Sequence, residues 1–188
     1  FVQAINSNFK EFLKYLLTKN VYINYNIIAE TFNSRSIDLE LFSLVKFEPS
    51  IKKRMVNCIS NALYHPIGLI EYLLNENFPI GDALIQVIIR GNTDYAELIL
   101  QKNSEPDFIN QISNGNTALS ASINSSNLQI FKKLMSIPGI DPGMYYKPDE
   151  SALILTIVQY KETMFNAIID FYGEENIKKY KKQLTKAL

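Results

Sequence analysis

The sequence predicts an all-α repeat protein, in which helix pairs stack on one another and short turns project between them. Three observations carry this prediction. Gly115-Asn116-Thr117-Ala118-Leu119 is echoed 34 residues later by Asp149-Glu150-Ser151-Ala152-Leu153. Ile130, Phe131, Leu134 and Met135 map at the same interval onto Met164, Phe165, Ile168 and Ile169. These apolar residues recur at spacings of three and four, which places them on one face of a helix. A period of this length is that of a helix pair whose apolar face stays exposed until a neighbour covers it.

Taken from the N-terminus, Ala4, Ile5, Asn8-Phe9, Phe12, Tyr15, Leu16 and Leu17 fit one helix face, and Ile27 to Phe32 with Leu39 to Val45 form the next pair. The segment from Met55 to Leu63 partners a second helix over Pro66 to Leu74. Ala83-Leu84 lies 35 residues before Ala118-Leu119, and Asn92, Ala96, Ile99 and Leu100 align with Asn127, Phe131, Leu134 and Met135. A one-residue loop insertion accounts for the change from 34 to 35. In the clearest unit Gly115 supplies a tight turn, Thr117 caps the helix that follows, and Ser120 and Ser122 are small enough for close helix approach. Asn124 to Asn127 is turn-prone, Leu128 to Met135 is amphipathic, and Pro138-Gly139 ends the unit ahead of Asp141-Pro142-Gly143. Residues 1–188 are read as a single repeat domain of about five helix pairs plus a C-terminal helix. The repeats are clearest over residues 78–172.

Asn-Gly-Asn-Thr-Ala-Leu at 114–119 resembles the turn and first-helix start of an ankyrin repeat, which favours Gly-x-Thr-Pro-Leu-His. Asn127 to Met135 resembles that family's second helix, and Gly139-Ile140-Asp141 the start of its projecting loop. Ala118 stands in place of the family's proline and Ser120 in place of its histidine, departures expected to weaken local capping without disturbing the helix period. Tetratricopeptide-like arrays share the period but lack a projecting connection such as 139–147. The resemblance implies that the projecting turns and first helices line a concave surface. On it, Asn114, Asn116, Asn124, Ser125, Tyr145, Tyr146, Lys147 and Asp149 are the candidate partner contacts. Leu119, Leu134, Leu153 and Ile168 are expected to hold the stack.

Composition narrows the function. The 19 basic and 19 acidic residues cancel, which removes the long-range attraction that nucleic-acid binders use. Lys178, Lys179, Lys181, Lys182 and Lys186 read as a solvated face of the last helix. Phe12, Tyr15, Tyr72, Phe131 and Phe165 fall on apolar helix faces and read as core, whereas Tyr145-Tyr146 falls in a connection and reads as an interface anchor. The 19 asparagines make the turns amide-rich, with Asn110, Asn114, Asn116, Asn124 and Asn127 around the clearest unit; some are expected to cap helices or satisfy loop backbone, and a general amino-acid bias accounts for the count equally well.

No constellation for catalysis emerges. His65, the single histidine, reads as a surface hydrogen-bonding group in a turn, and Cys58, the single cysteine, as a small buried hydrophobe. The pair supplies neither a nucleophilic site nor a zinc ligand set. Glu174-Glu175 are adjacent rather than a helical turn apart, Asp38 and Glu40 suit a helix start, and no glycine has phosphate-loop spacing. No apolar run reaches the roughly 18 residues of a membrane span. The absence of a disulfide framework favours an intracellular, cytoplasmic setting. The sequence therefore predicts a non-enzymatic protein-interaction module that takes an unidentified protein partner and needs no cofactor or metal. The alternative is a structural spacer or assembly scaffold, and a start at Phe1 leaves room for further domains of a larger parent chain.

Overall fold

Two helix starts set the frame. Thr117 and Ser151 lie in extended backbone (φ −102° and −130°), where each side chain accepts a hydrogen bond from the N–H three residues on. The Ser120 N–H meets Thr117 Oγ1 at 3.1 Å, and the Ile154 N–H meets Ser151 Oγ at 3.3 Å. Ser120 corrects an expectation. Far from weakening the cap, its buried hydroxyl accepts the Thr117 N–H at 2.9 Å and closes a capping box. A hydroxyl at this position reaches back as a longer Glu or Gln does in other boxes, so a second backbone donor at the helix start is satisfied. Ile154 offers no such side-chain acceptor, so the later helix has no capping box of this kind.

The structure, a computed structural model, describes residues 39–43, 47, 49–54 and 58–177, with the isolated positions 15, 18, 19 and 185. It is mostly helical, with little strand. Two compact units are distinguished, Phe1–Ala83 and Leu84–Leu188. The expected helices built on Ala4 to Leu17 and on Ile27 to Phe32 lie outside the described residues except for Tyr15. So do Val45, Met55, Val56 and the terminal lysines from Lys178 to Lys186. Tyr15 is 57% exposed with Lys19 Nζ 5.3 Å from its ring centre, and is not the core aromatic that its spacing predicts.

The first unit contains α1 (Leu39–Ser43), α2 (Pro49–Arg54), α3 (Cys58–Ala62) and α4 (Ile67–Asn75), with α3 and α1 packed on α4. Ile59, Ala62, Leu69, Ile70 and Leu73 form its core. Gly68 admits the Leu39 side chain, which would sit 3.3 Å from an added Cβ. Phe47 meets Phe78 edge to face at 5.1 Å, and Lys52 Nζ pairs with Glu76 at 2.9 Å. His65 is buried rather than a surface group, because the tight turn between α3 and α4 folds it inward, its N–H donating to the Ala62 carbonyl at 2.9 Å. The backbone of Cys58 starts α3; the expectation about its side chain lies outside the described residues.

The second unit runs through α5 (Ala83–Ile89), which starts at the boundary, α6 (Thr93–Lys102), α7 (Pro106–Ile109), α8 (Ala118–Asn124) and α9 (Leu128–Met135). It continues through β1 (Tyr145–Lys147), β2 (Glu150–Ser151), α10 (Ala152–Val158) and α11 (Glu162–Ile177), the last interrupted by non-helical Gly173. Helix α8 packs on α9 and α10, α10 packs on α11, and α9 lies between α6 and α11. Leu119, Leu134, Leu153 and Ile168 are all buried. Phe131 is the largest fully buried side chain, whereas Met135, Phe165 and Ile169 are half-buried. The strands are a departure from pure helix. They pair antiparallel, Tyr145 with Ser151 and Lys147 with Glu150, and the same pairing shrinks to one bridge between Ser113 and Asn116 in the preceding turn.

The period is most regular in the backbone. Positive φ occurs at Gly81, Gly115 and Asp149 (56°, 68° and 60°), each 34 residues from the next. A second series, Gly91, Ser126 and Tyr160 (75°, 55° and 55°), closes the turn between the two helices of each pair. There the following N–H bonds back across five residues, from Asn92 to Val87, Asn127 to Ser122 and Lys161 to Thr156, at 2.8–2.9 Å. This is the Schellman closure, which satisfies carbonyls left open at a helix C-terminus and favours glycine at its left-handed residue. The one-residue insertion falls between the turn and the helix. Gly81 is separated from Ala83 by Asp82 alone, and Gly115 from Ala118 by Asn116 and Thr117.

Leu134→Ala should lower stability by about 2–5 kcal/mol, the range for opening a cavity at a fully buried leucine, as read by urea denaturation. Tyr160→Gly should act in the opposite direction. A bulky residue in the left-handed region is strained, so the change should raise stability by about 1 kcal/mol with an unaltered denaturant slope.

Candidate protein-binding face

The hairpin of the second unit turns at Pro148-Asp149, where proline fixes one backbone angle and Asp149 takes the left-handed one. Successive side chains of β1 alternate, so Tyr145 is 44% exposed and Tyr146 only 7%. Tyr146 is thus a correction to the predicted contact set: pairing of β1 with β2 turns its ring into the interior. Its hydroxyl makes no full hydrogen bond. Burial, and next the negative charge of Glu150, push its pKa up to about 12, while the nearby Ser120 hydroxyl acts in the lowering direction.

Lys147 joins two successive turns. Its Nζ pairs with Glu150 at 3.2 Å and stands 5.8 Å from the Tyr146 ring centre. Its stem crosses Gly115, with Cε only 2.8 Å from where a Cβ would lie. The end of a lysine can yield, so the left-handed backbone is the stricter reason for glycine there.

From the earlier turn a chain of amides leads away. Asn116 Nδ2 donates to the Asn114 carbonyl at 3.2 Å, and Asn124 Nδ2 donates to Asn116 Oδ1 at 3.4 Å. Gln159 Nε2 then donates to Asn124 Oδ1 at 2.6 Å. Three of the predicted contact residues, Asn114, Asn116 and Asn124, are therefore brought into one hydrogen-bonded row. Ser125 is exposed but turned back, its hydroxyl donating to the Ala121 carbonyl at 2.9 Å. Asp149 is exposed at the hairpin tip.

Helices α8 and α10 contribute less surface than the resemblance implies. Every residue of α8 except Asn124 is buried, and Val158, at the corresponding end of α10, is 60% exposed. Sequence reasoning missed Val158, Gln159, Tyr160 and Lys161. Tyr160 is 93% exposed, and Lys161 Nζ donates to Ser126 Oγ at 2.6 Å. The signal for them was the interval itself, since Val158 follows Asn124 and Tyr160 follows Ser126 by 34 residues. The face thus offers amide donors and acceptors, the ion pair of Lys147 and Glu150, and the exposed side chains of Tyr145, Val158 and Tyr160.

Among the described residues no three of His, Cys, Asp and Glu gather to hold a metal ion, and no helix is long and apolar enough to cross a membrane. Comparisons with protein-family models, curated proteins and solved structures give no match.

The buried phenol ties stability to alkaline pH. Its raised pKa means that between about pH 10 and pH 12 the folded chain retains a proton that the unfolded chain has released, so stability present below that window is lost through it. Tyr146→Phe removes a buried hydroxyl that makes no full hydrogen bond. It should leave neutral-pH stability unchanged or slightly higher, and it should remove about 2–3 kcal/mol of the alkaline loss. Denaturation of parent and variant across that window measures the difference.

Proposed function

We propose that the chain is an array of divergent ankyrin-type repeats whose role is non-enzymatic binding of a protein partner. The observation that carries this reading is the contrast between inward and outward positions of the period. The buried set is conserved in character, with Leu119 answered by Leu153 and Leu134 by Ile168. The outward set changes at each step, from Asn124 to Val158 and from Ser126 to Tyr160. Stacking needs the first set and is indifferent to the second, so the second is where recognition can be written.

The two left-handed series and the packing of α8 on α10 and α9 on α11 support the repeat reading. The hairpin tip and the exposed ends of α8 and α10 form the contact surface in this proposal. Tyr145 is its aromatic anchor, because a rigid ring gains area on binding at little entropic cost. Lys147 and Asp149 supply charge, and Asn114, Asn116, Asn124 and Gln159 supply hydrogen bonds that fix register. A lone cysteine fits an intracellular setting.

The test is a cross-linked pulldown with the full chain, followed by calorimetric titration of each captured protein. Tyr145→Ala should retain helicity by circular dichroism and weaken binding by about 1–2 kcal/mol, roughly tenfold in Kd. Full affinity in this variant and in Asp149→Ala would remove the hairpin tip from the proposal. A folded chain that captures nothing saturably would favour a spacer.

A further inference from the structure

The Asn114-Gly115 pair is the only Asn-Gly step in the chain, and it stands at the exposed tip of a turn. We propose that this step is a site of spontaneous deamidation in the folded protein, converting the neutral tip into a carboxylate. The chemistry needs only water. The Gly115 amide nitrogen loses its proton to hydroxide and bonds to Asn114 Cγ, Nδ2 takes a proton from water as the Cγ–Nδ2 bond breaks, and ammonia leaves, giving a cyclic imide and regenerating hydroxide. Water then opens the ring at one carbonyl to give aspartate, or at the other to give isoaspartate, in which the backbone runs through Cβ. A glycine on the attacking side presents no Cβ to obstruct ring closure.

Both reacting groups are disengaged. The Asn114 side chain is exposed and makes no hydrogen bond among the described residues, and the Gly115 N–H finds no acceptor among them. Ring closure turns the Asn114 backbone about its Cα–C bond to bring the Gly115 nitrogen onto Cγ, so the left-handed turn (φ 50° at Asn114) must open. Opening breaks the reciprocal pair of bonds between Ser113 and Asn116, at 2.9 and 3.0 Å, together with the bond from Asn116 Nδ2 to the Asn114 carbonyl at 3.2 Å, all outside any helix. Openings of this kind belong to the least costly local fluctuations of a fold.

Among the described residues, competing sites at Asn103, Asn116 and Asn124 are restrained. Asn116 is bonded through both ends of its amide, and Asn124 likewise, to Asn116 and Gln159. The nitrogen that would attack Asn124 belongs to Ser125, whose N–H is held by the Ala121 carbonyl at 2.9 Å. Asn103, also followed by serine, has its side-chain oxygen fixed by the Glu105 N–H at 3.1 Å. The product would place a carboxylate beside the Lys147 stem, which crosses Gly115, and so offer the Lys147 ammonium an alternative to Glu150. A formal net charge of zero would become negative by one unit. The modification stands whatever the chain binds.

The test is incubation of the intact folded chain at mildly alkaline pH and physiological temperature, with peptide mass spectrometry and isoelectric focusing over time. The expected result is a gain of one mass unit in the peptide containing Asn114 ahead of every other asparagine, with isoaspartate present. It should be accompanied by an acidic shift of one charge and a rate that rises with hydroxide. Asn114→Gln, whose longer side chain disfavours the cyclic imide, should lose the acidic species. The proposal would be overturned by conversion spread evenly over other asparagines, or by conversion of Asn114 in the urea-unfolded chain but not in the folded one. Persistence of the acidic species in Asn114→Gln would overturn it equally.

Discussion

The fold of the second unit depends on left-handed backbone at fixed intervals. Each helix pair reverses the chain twice, once at the projecting turn and once between its helices, and both reversals use a residue with positive φ. Such a residue costs about 1 kcal/mol or more when it carries a Cβ. Glycine meets the demand at 91 and 115, but Ser126, Asp149 and Tyr160 meet it elsewhere. They are held there by bonds that the reversal itself creates. The Lys161 N–H, for example, reaches the Thr156 carbonyl at 2.8 Å only if Tyr160 turns left-handed. The backbone closure thus imposes the conformation, and the side chain tolerates it. This frees the outward positions to vary in size and polarity while the helices keep their spacing.

The same separation explains what could be read in the sequence. Helix periodicity and the cap at Thr117 were legible because apolar burial and N-terminal donors impose residue types directly. Leu119, Leu134, Leu153 and Ile168 lie buried for that reason. Tyr160 was not legible as a turn residue, since only its spacing from Ser126, and no glycine, marks it. Tyr146 was misplaced because a strand of three residues is too short to display an alternating pattern, so its inward direction depends on pairing with Glu150-Ser151. Ser120 shows that a short side chain can close a capping box: a hydroxyl at the third helical position reaches the capping residue's N–H. Tyr15 and His65 failed in opposite directions, one exposed and one buried. Helical spacing did not fix the burial of Tyr15, nor turn context that of His65.

Asparagine usage acquires a structural cause in this unit. Asn127 caps α9 through its side-chain oxygen and donates across to Thr93 Oγ1 at 2.9 Å. Asn110 donates to the Gly139 carbonyl at 2.8 Å and accepts the Asp141 N–H at 3.0 Å, tying α7 to the start of the next connection. A short amide carries both a donor and an acceptor, so one side chain can satisfy two backbone groups in a turn that has no ladder to do so. Pro106 packs against Gly139 so closely that a Cβ there would approach it to 2.7 Å, and the left-handed φ of 86° adds a second reason for glycine. The connection is therefore specified by local packing and amide bonding together.

This arrangement constrains how the proposed face could bind. Asn116, Asn124 and Gln159 already bond to one another, so a partner that engages them exchanges bonds rather than adding them, and the net gain from each exchange is small. Tyr145, Val158 and Tyr160 have exposed surface to bury, and burial of apolar area contributes without such an exchange. Affinity would then come from the rings and the valine, and alignment from the amides. Along the chain these outward positions alternate in polarity, from exposed Ile89 to Asn124 and then to Val158, so neighbouring stretches of the surface offer different chemistry.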